Sequence, residues 1–482
     1  MGFSLRSELK KSREIDMLHG PLLGKVFRFA LPLMLTNLLQ MLYNAADMVI
    51  AGMSGVDGAI GSIGTTSAMI NLFLNLFMGF SVGTNVVVAR NIGKGDREAT
   101  RRTVHTSLVM GAALGVACGI VGIALSLPIL RLLGDEGHVL KLACLYTRIY
   151  FLGAPFLAVS NYMIAIFRAK GDTQTPLYIL TGTGLLNVGL NLFFVLVCGM
   201  SVDGVAVATV ISTAASVLLL GLRLVREESW CKVELKRLRA DRQAWREIVR
   251  DGLPAGIQGA LFSLSNMIIQ SSIISLNNTL CPGGSDIIDG NAAGTNVEGF
   301  LYVATNSFCQ AAVTFMSQNY GAEKYDRIGL VERACYAATG LVAVTGSALV
   351  FLFRDPIVHI YVRNPMAVEA ALTRVYVCMV PYFTLAFMEV GSGLIRGLGR
   401  STTSTVISLL GSCALRILWV AFVFPLAPSL RMVYWSYPLS WGLTALTHFT
   451  VLTLIRRRLL RERPSFRTER PAARTPKPEE RT

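Results

Sequence analysis

Charge is scarce in this chain. Only 16% of its 482 residues are Asp, Glu, Lys or Arg, against about a quarter in an average soluble domain. Histidine is scarcer still, with five widely spaced residues and no zinc-type pair. The nine cysteines lie at 118, 144, 198, 231, 281, 309, 335, 378 and 413, with no CxxC among them. That scatter excludes a disulfide framework and a permanent metal site, and the thiols read as small apolar packing groups. No GxxxxGK[ST] segment occurs, so ATP hydrolysis has no site. Nothing at membrane depth resembles a His-rich or Ser/His/Asp constellation, which argues against an enzyme and against any cofactor.

Long apolar runs are abundant instead. Hydrophobic residues make up 52% of the chain, and a spanning helix needs about 20 in succession. Such runs predict an all-α membrane protein with twelve spans, near 26–50, 59–89, 103–127, 140–167, 176–198, 203–225, 252–276, 291–319, 334–353, 366–395, 402–425 and 432–455. The second, eighth and tenth are the least hydrophobic. The first 25 residues are polar and basic and lead into a run long enough to span, so no cleavable signal peptide is expected.

The net charge of +15 has a sidedness that argues against nucleic acid as a partner. Segments at the N-terminus, 90–102, 168–170, 223–250, 324–333, 396–400 and beyond 456 hold 37 of the 45 Lys and Arg, while the alternate loops and helix ends hold 8. Basic residues mark the cytoplasmic side, so both termini are expected there, in a multi-pass protein of the plasma (inner) membrane. The tail 456–482 is Pro-rich and charged, a composition that predicts disorder.

The chain also repeats itself. NIG at 91–93 recurs as NYG at 319–321, and FRAKGD at 167–172 as IRGLGR at 395–400. Arg168 thus pairs with Arg396, Gly171 with Gly399, and Ser212 with Ser440, at an offset of 228. Nearer the start of each half, Asn44 pairs with Asn266 at an offset of 222. Six spans per half return the chain to its starting side, so the two bundles form a parallel repeat with a cleft between them. The expected organisation is a tail (1–25), a first lobe (26–225), a linker (226–250), a second lobe (251–455) and a basic tail (456–482). The charged linker is read as a surface amphipathic helix.

The one acid well inside a first-half span is Asp47, in LPLMLTNLLQMLYNAADMVIAGM. A carboxylate at membrane depth costs about 2.5–3.5 kcal/mol on insertion scales, which marks it as an ion or substrate site. Gln40 and Asn44 precede it, and Asn44 shares its helix face. Asn187 and Asn191 lie four residues apart on the fifth span, and Thr209 lies on the sixth. One carboxylate, two amides and a hydroxyl are hard oxygen ligands for Na⁺, and the same carboxylate can instead carry a proton. Interhelical hydrogen bonding is the bland alternative for the amides and hydroxyl. In the second half Ile269 stands where Asp47 would repeat, and the acids are Glu298 and Glu389. Either can face the cleft and attract a cationic substrate, or pair with the intramembrane Arg416. Pro32 and Pro254 read as span starts, unless the first helix extends upstream, in which case Pro32 permits a bend. Phe73, Phe77, Tyr302 and Phe308 are aromatic candidates for a drug pocket or for ordinary packing.

YNAADMVIAG (43–52), ARNIGKGD (89–96), FRAKGDTQTP (167–176), LLNVGLNLFF (185–194), GVAVATVIS (204–212), SQNYGAEK (317–324) and LIRGLGRS (394–401), in this order, resemble the multidrug and toxic-compound extrusion (MATE) family, nearest its bacterial NorM- and DinF-like branches. The resemblance covers roughly 20–455. It implies an antiporter in which H⁺ or Na⁺ enters while a hydrophobic organic cation leaves, by alternating access of two lobes in a monomer. It also implies that the coupling site falls on Asp47, Asn187, Asn191 and Thr209, with Pro32 as the helix-bend position. The chain departs from some members in having no acid at 252–276, and in placing Glu389 about one turn beyond their tenth-span acid. A flippase for lipid-linked oligosaccharides or cell-wall precursors is the alternative. Such relatives have more spans and a cationic cavity, whereas here the intramembrane acids outnumber Arg416.

Overall fold

The computed structural model describes residues 14–132 and 137–462. Of the expected disordered tail, 463–482 lies outside them, while 456–461 continue the last helix, which corrects the start of the tail. Among the described residues there is no strand. The described residues form twelve long helices, two of them bent, besides shorter pieces. The first lobe has α1 (Leu23–Gly52), α2 (Ala59–Lys94), α3 (Arg97–Leu132), α4a and α4b (Gly137–Leu152, Ala154–Ala169), α5 (Gln174–Leu192, with a wider turn at Phe193–Val197) and α6 (Val202–Val225). The second has α7 (Arg242–Leu280), α8 (Asp286–Gly321), α9 (Tyr325–Leu352), α10a and α10b (Pro365–Met379, Tyr382–Gly397), α11 (from Ser401, through wider turns, to Leu426) and α12 (Leu430–Arg461). Eleven of these helices are long and apolar enough to span a bilayer if each bent pair counts once. The exception is α8, which packs against α1, α2, α9 and both parts of α10. A helix enclosed by other helices needs little lipid-facing apolar surface.

The repeat is visible in shape as well as sequence. α4 is bent by 49° and α10 by 54° at matching breaks. The wider turn at Phe193–Val197 recurs at Trp419–Val423. Gly171 and Gly399 both adopt positive φ, 93° and 71°, at the turns into α5 and α11. Only glycine takes that conformation at no steric cost.

Two further expectations are corrected. The join between lobes is not an amphipathic helix: after Val225 the chain makes turns, with one short turn of helix at Leu235–Arg237. Cys231 and Val233 anchor it in a core cluster with Val104, Phe167 and Leu224, and α7 starts at Arg242, where Asp241 accepts a bond from the Ala244 N–H. Pro32 and Pro254 do not start spans but lie inside α1 and α7, which begin nine and twelve residues earlier. Each therefore removes one helical hydrogen bond at an interior position.

The lobes meet closely on the termini face, which carries residues 14–20 and the end of α12. α2 and α7 pass backbone to backbone: a Cβ added at Gly252 would lie 2.8 Å from the Phe80 Cα. Arg90 on α2 reaches Glu247 at 2.7 Å and Asp251 at 3.6 Å on α7. Residues 14–20 run across this face. The Ile15 N–H donates to the Gly171 carbonyl of the first lobe (3.3 Å). From the second lobe, Asn319 donates to the Met17 carbonyl and Lys324 to that of Leu18, both at 3.1 Å. Glu14 closes the strap against Lys170 at 3.5 Å, and burial raises its carboxyl above the ordinary range. At mid-height Asn75 touches Ser263 and Asn37 touches Ser307.

Gly252→Leu is expected to force α2 and α7 apart. Spin labels placed at Lys94 and Glu323, which both line the rim of this closed face, should then report a longer separation than in the otherwise unchanged protein. An unaltered distance would contradict this account of the seal.

Candidate functional site

Asp47 sits five residues from the end of α1 and is only 8% exposed. Gln40, Asn44 and Asp47 follow at i, i+4 and i+7, one stripe of the helix. α5 presents Thr183, Asn187 and Asn191 at successive four-residue steps, and α6 presents Thr209, Ser212, Thr213 and Ser216. The three polar stripes face one another because α1 packs on α5 and α5 on α6.

The predicted group is brought together. The Asn191 Nδ2–H donates to Asp47 Oδ1 at 2.5 Å and lies 3.4 Å from Asn187 Oδ1. Asn187 Nδ2 in turn lies 3.4 Å from Thr209 Oγ1, whose hydroxyl donates to the Val205 carbonyl at 2.9 Å. Asn191 is fully buried, and its Oδ1 has no hydrogen-bond partner. Such an orphaned carbonyl normally demands an explanation such as a bound ion or water.

The cluster borders a cavity of about 260 Å³ inside the first lobe, which Gln40, Asn44, Asp47, Asn187 and Thr209 all line. At about 30 Å³ per water this holds an ion with its hydration and is below the size of most drug pockets. Tyr150, Asn161 and Thr183 also line it and were missed from sequence. The i+4 spacing of Thr183 before Asn187 was a usable signal. Asn161 and Tyr150 had none, because only the bend in α4 aims them here.

The second lobe inverts the charge. Asn266, the repeat of Asn44, lies 3.4 Å from the Arg416 guanidinium, and Ser440, the repeat of Ser212, accepts from Arg416 Nε at 2.9 Å. Tyr437 covers the cation at 4.5 Å. Arg416 thus contacts neutral and aromatic groups and joins no ion pair among the described residues, so the alternative in which a glutamate pairs with Arg416 is not met. Glu298 pairs instead with Arg374, at 2.5 Å, a residue the sequence had not singled out. Arg374 lies on α10a, and its Nη1 also donates to Asn291 Oδ1 at 2.7 Å. Glu389, on α10b, is buried; its carbonyl accepts from the Cys309 thiol, and its charged neighbour is Arg396. Neither glutamate lines the Asp47 cavity. Phe77 and Phe308 are packed in the core, Phe73 stacks edge-on against Phe151, and Tyr302 is 42% exposed.

Among the described residues no three His, Cys, Asp or Glu side chains converge. The donor set at Asp47 is all oxygen with one formal charge. It fits a proton or one Na⁺ and does not fit a resident transition metal.

Twelve helices in two like-handed lobes, with a carboxylate buried beside a small polar cavity, define a multi-pass membrane transporter. The chain belongs to the MatE family, whose model matches residues 32–193 and 254–422, one copy in each lobe. It is 25% identical to the "Probable multidrug resistance protein YoeA" of Bacillus subtilis, over 86% of this chain and 93% of that protein. It is 24% identical to the "Multidrug export protein MepA" of Staphylococcus aureus, over 91% and 95% respectively. Among solved structures, an outward-facing multidrug resistance MATE family transporter of the MOP superfamily superposes with a TM-score of 0.84 at 20% identity, covering 92% of this chain and 98% of that one. Family membership makes this a transporter that needs no cofactor.

Proposed function

We propose that the protein exports hydrophobic organic cations, including drugs, across the plasma membrane in exchange for one monovalent cation, with both termini in the cytoplasm. The observation that carries this reading is Asp47: a lone carboxylate bordering a cavity of about 260 Å³ inside the first lobe, one oxygen of which already accepts from Asn191. A single negative charge balances a single H⁺ or Na⁺. Binding there removes the charge and with it the cost of moving the carboxylate through a low-dielectric path. Gln40 and Asn44, on the same stripe, line this cavity with Asp47, and in this reading the cavity opens to the cleft between the lobes during the cycle. There a cationic substrate competes for the same field. The seal between α2 and α7 on the termini face supports alternating access, since it closes one side of the cleft. The protein works as a monomer in this reading, because each chain supplies both lobes.

The deciding experiment is transport by the purified protein in liposomes, with a proton gradient and a Na⁺ gradient imposed separately. Efflux of a fluorescent organic cation should follow one of the two and stop when that gradient is collapsed. Indifference to both gradients would overturn the proposal.

A further inference from the structure

The face opposite the termini is poor in basic residues. The eight Lys and Arg outside the basic segments are Arg131, Lys141, Arg148, Arg354, Arg363, Arg374, Arg416 and Arg431. Arg374 and Arg416 are buried within the second lobe. Of the remaining six, three gather at one place. A concavity of about 470 Å³ opens between the short helix Arg354–Tyr361, the start of α10a and the start of α12, with Arg363 and Arg431 on its wall. Arg354 stands beside it, fixed by a 2.8 Å bond to Tyr376, which lines the same wall. His359 also faces it and gives its Nδ1 to the Asp355 carbonyl, so Nε2 remains for another partner.

Arg363 and Arg431 join no ion pair among the described residues, although Glu369 shares the lining. Both side chains are exposed, so an anion entering the concavity meets two unpaired guanidinium groups that can donate charge-assisted hydrogen bonds. The floor of the concavity is apolar, with Val368 and Leu372. Its surroundings are apolar too: Ile360 is 78% exposed and Leu426, on the same face, is 81% exposed. Side chains of that kind remain uncovered at a bilayer rim, where aromatic and basic groups meet the headgroups.

We propose that this concavity binds the headgroup of a phospholipid with one net negative charge, of the phosphatidylglycerol type, from the leaflet opposite the termini. Arg363 and Arg431 hold the phosphate in charge-assisted hydrogen bonds. Val368 and Leu372 lie against the glycerol backbone and first methylenes, an interaction that free phosphate cannot use. Arg354 is balanced by Asp355 at 3.6 Å, so Arg363 and Arg431 against Glu369 leave the site a net charge of +1, which matches a monoanion. Glu369 accepts from headgroup hydroxyls and repels a dianion. The inference stands apart from the ion-coupling reading, since none of these residues touches the Asp47 cavity.

The test is native mass spectrometry of the full-length protein, offered equal amounts of phosphatidylglycerol, phosphatidylethanolamine and phosphatidylcholine. Phosphatidylglycerol should be retained selectively. At roughly 1 kcal/mol per arginine near a membrane surface, Arg363→Gln or Arg431→Gln alone should weaken retention about fivefold and the pair about thirtyfold. The double change to lysine should keep most of it. Lys141→Gln, exposed on the same face, should change nothing. Equal loss in that variant would mean diffuse surface attraction and would overturn the proposal. So would displacement of the lipid by millimolar inorganic phosphate, which would mark a free-anion site, or equal retention of all three lipids.

Discussion

Asp47→Asn should reduce gradient-driven efflux to the level of empty liposomes while the protein still reaches the membrane in normal amounts. The substitution keeps the shape of the side chain and leaves an oxygen that can accept from Asn191 Nδ2, so the 2.5 Å contact between α1 and α5 has a replacement. What disappears is the charge that a coupling cation neutralises. Coupling between two ligands is typically about 1–3 kcal/mol, or roughly 5–150-fold in affinity, and it is reciprocal. A variant without the carboxylate should therefore bind the organic cation with an affinity that no longer responds to pH or to Na⁺. Removing a buried charge also relieves a desolvation cost, so thermal stability should stay level or rise. Efflux at the wild-type rate, or a substrate affinity that still responds to the driving ion, would place the coupling site elsewhere.

The largest stability effect is expected from Arg374→Met. This change strands Glu298, whose carboxylate is 13% exposed and has Arg374 as its ion-pair partner. It also removes the bond from Nη1 to Asn291 and the guanidinium that lies 5.4 Å from the Tyr434 ring and 5.2 Å from that of Tyr437. Breaking a buried pair from one side costs about 3–5 kcal/mol, because the remaining charge is uncompensated. Replacing both partners by apolar residues of similar volume is often nearly neutral. Arg374→Met should therefore lower the thermal unfolding midpoint in detergent sharply, and the double variant with Glu298→Leu should recover most of the loss. If the double variant were as unstable as the single one, the pair would not be what holds α8 to α10. If instead the double variant were stable but inactive, Glu298 would have a role in transport beyond its partner.

These two residues show where sequence reading succeeds and where it stops. Asp47 was legible because an acid inside an apolar run is costly wherever its helix points. Asn187, Asn191 and Thr209 were legible as candidates because their spacing puts them on single faces. The pairing of Glu298 was not legible. Arg374 sits in a span like any other snorkelling arginine, and its reach to Glu298 depends on the 54° bend that orients α10a against α8. Arg416, the partner in one of the two readings of the second-half acids, bonds Ser440 and lies over the face of Tyr437 instead. The two interior prolines were misplaced for a related reason. The polar residues before Pro32 and Pro254 mark the end of the bilayer-compatible run, but a helix continues past that end when its extension packs on protein. Here the α7 extension packs through Ala244 and Ile248, and the start of α1 through Val26, Phe29 and Ala30.

By itself the sequence determined the membrane setting, the twelve-helix plan, the twofold internal repeat, the expectation that both ends share a side, and the one costly acid of the first lobe. Each of these follows from local quantities: the length of an apolar run, the sidedness of basic residues and the penalty for a charge in hydrocarbon. Tertiary structure alone decided which amide donates to Asp47, how large the adjoining cavity is, that Arg416 gathers Asn266 and Ser440 in the second lobe, and that α2 and α7 close against each other. Those outcomes depend on how each helix is rotated, bent and tilted against its neighbours. Packing between helices sets those angles, and no residue's own polarity encodes them.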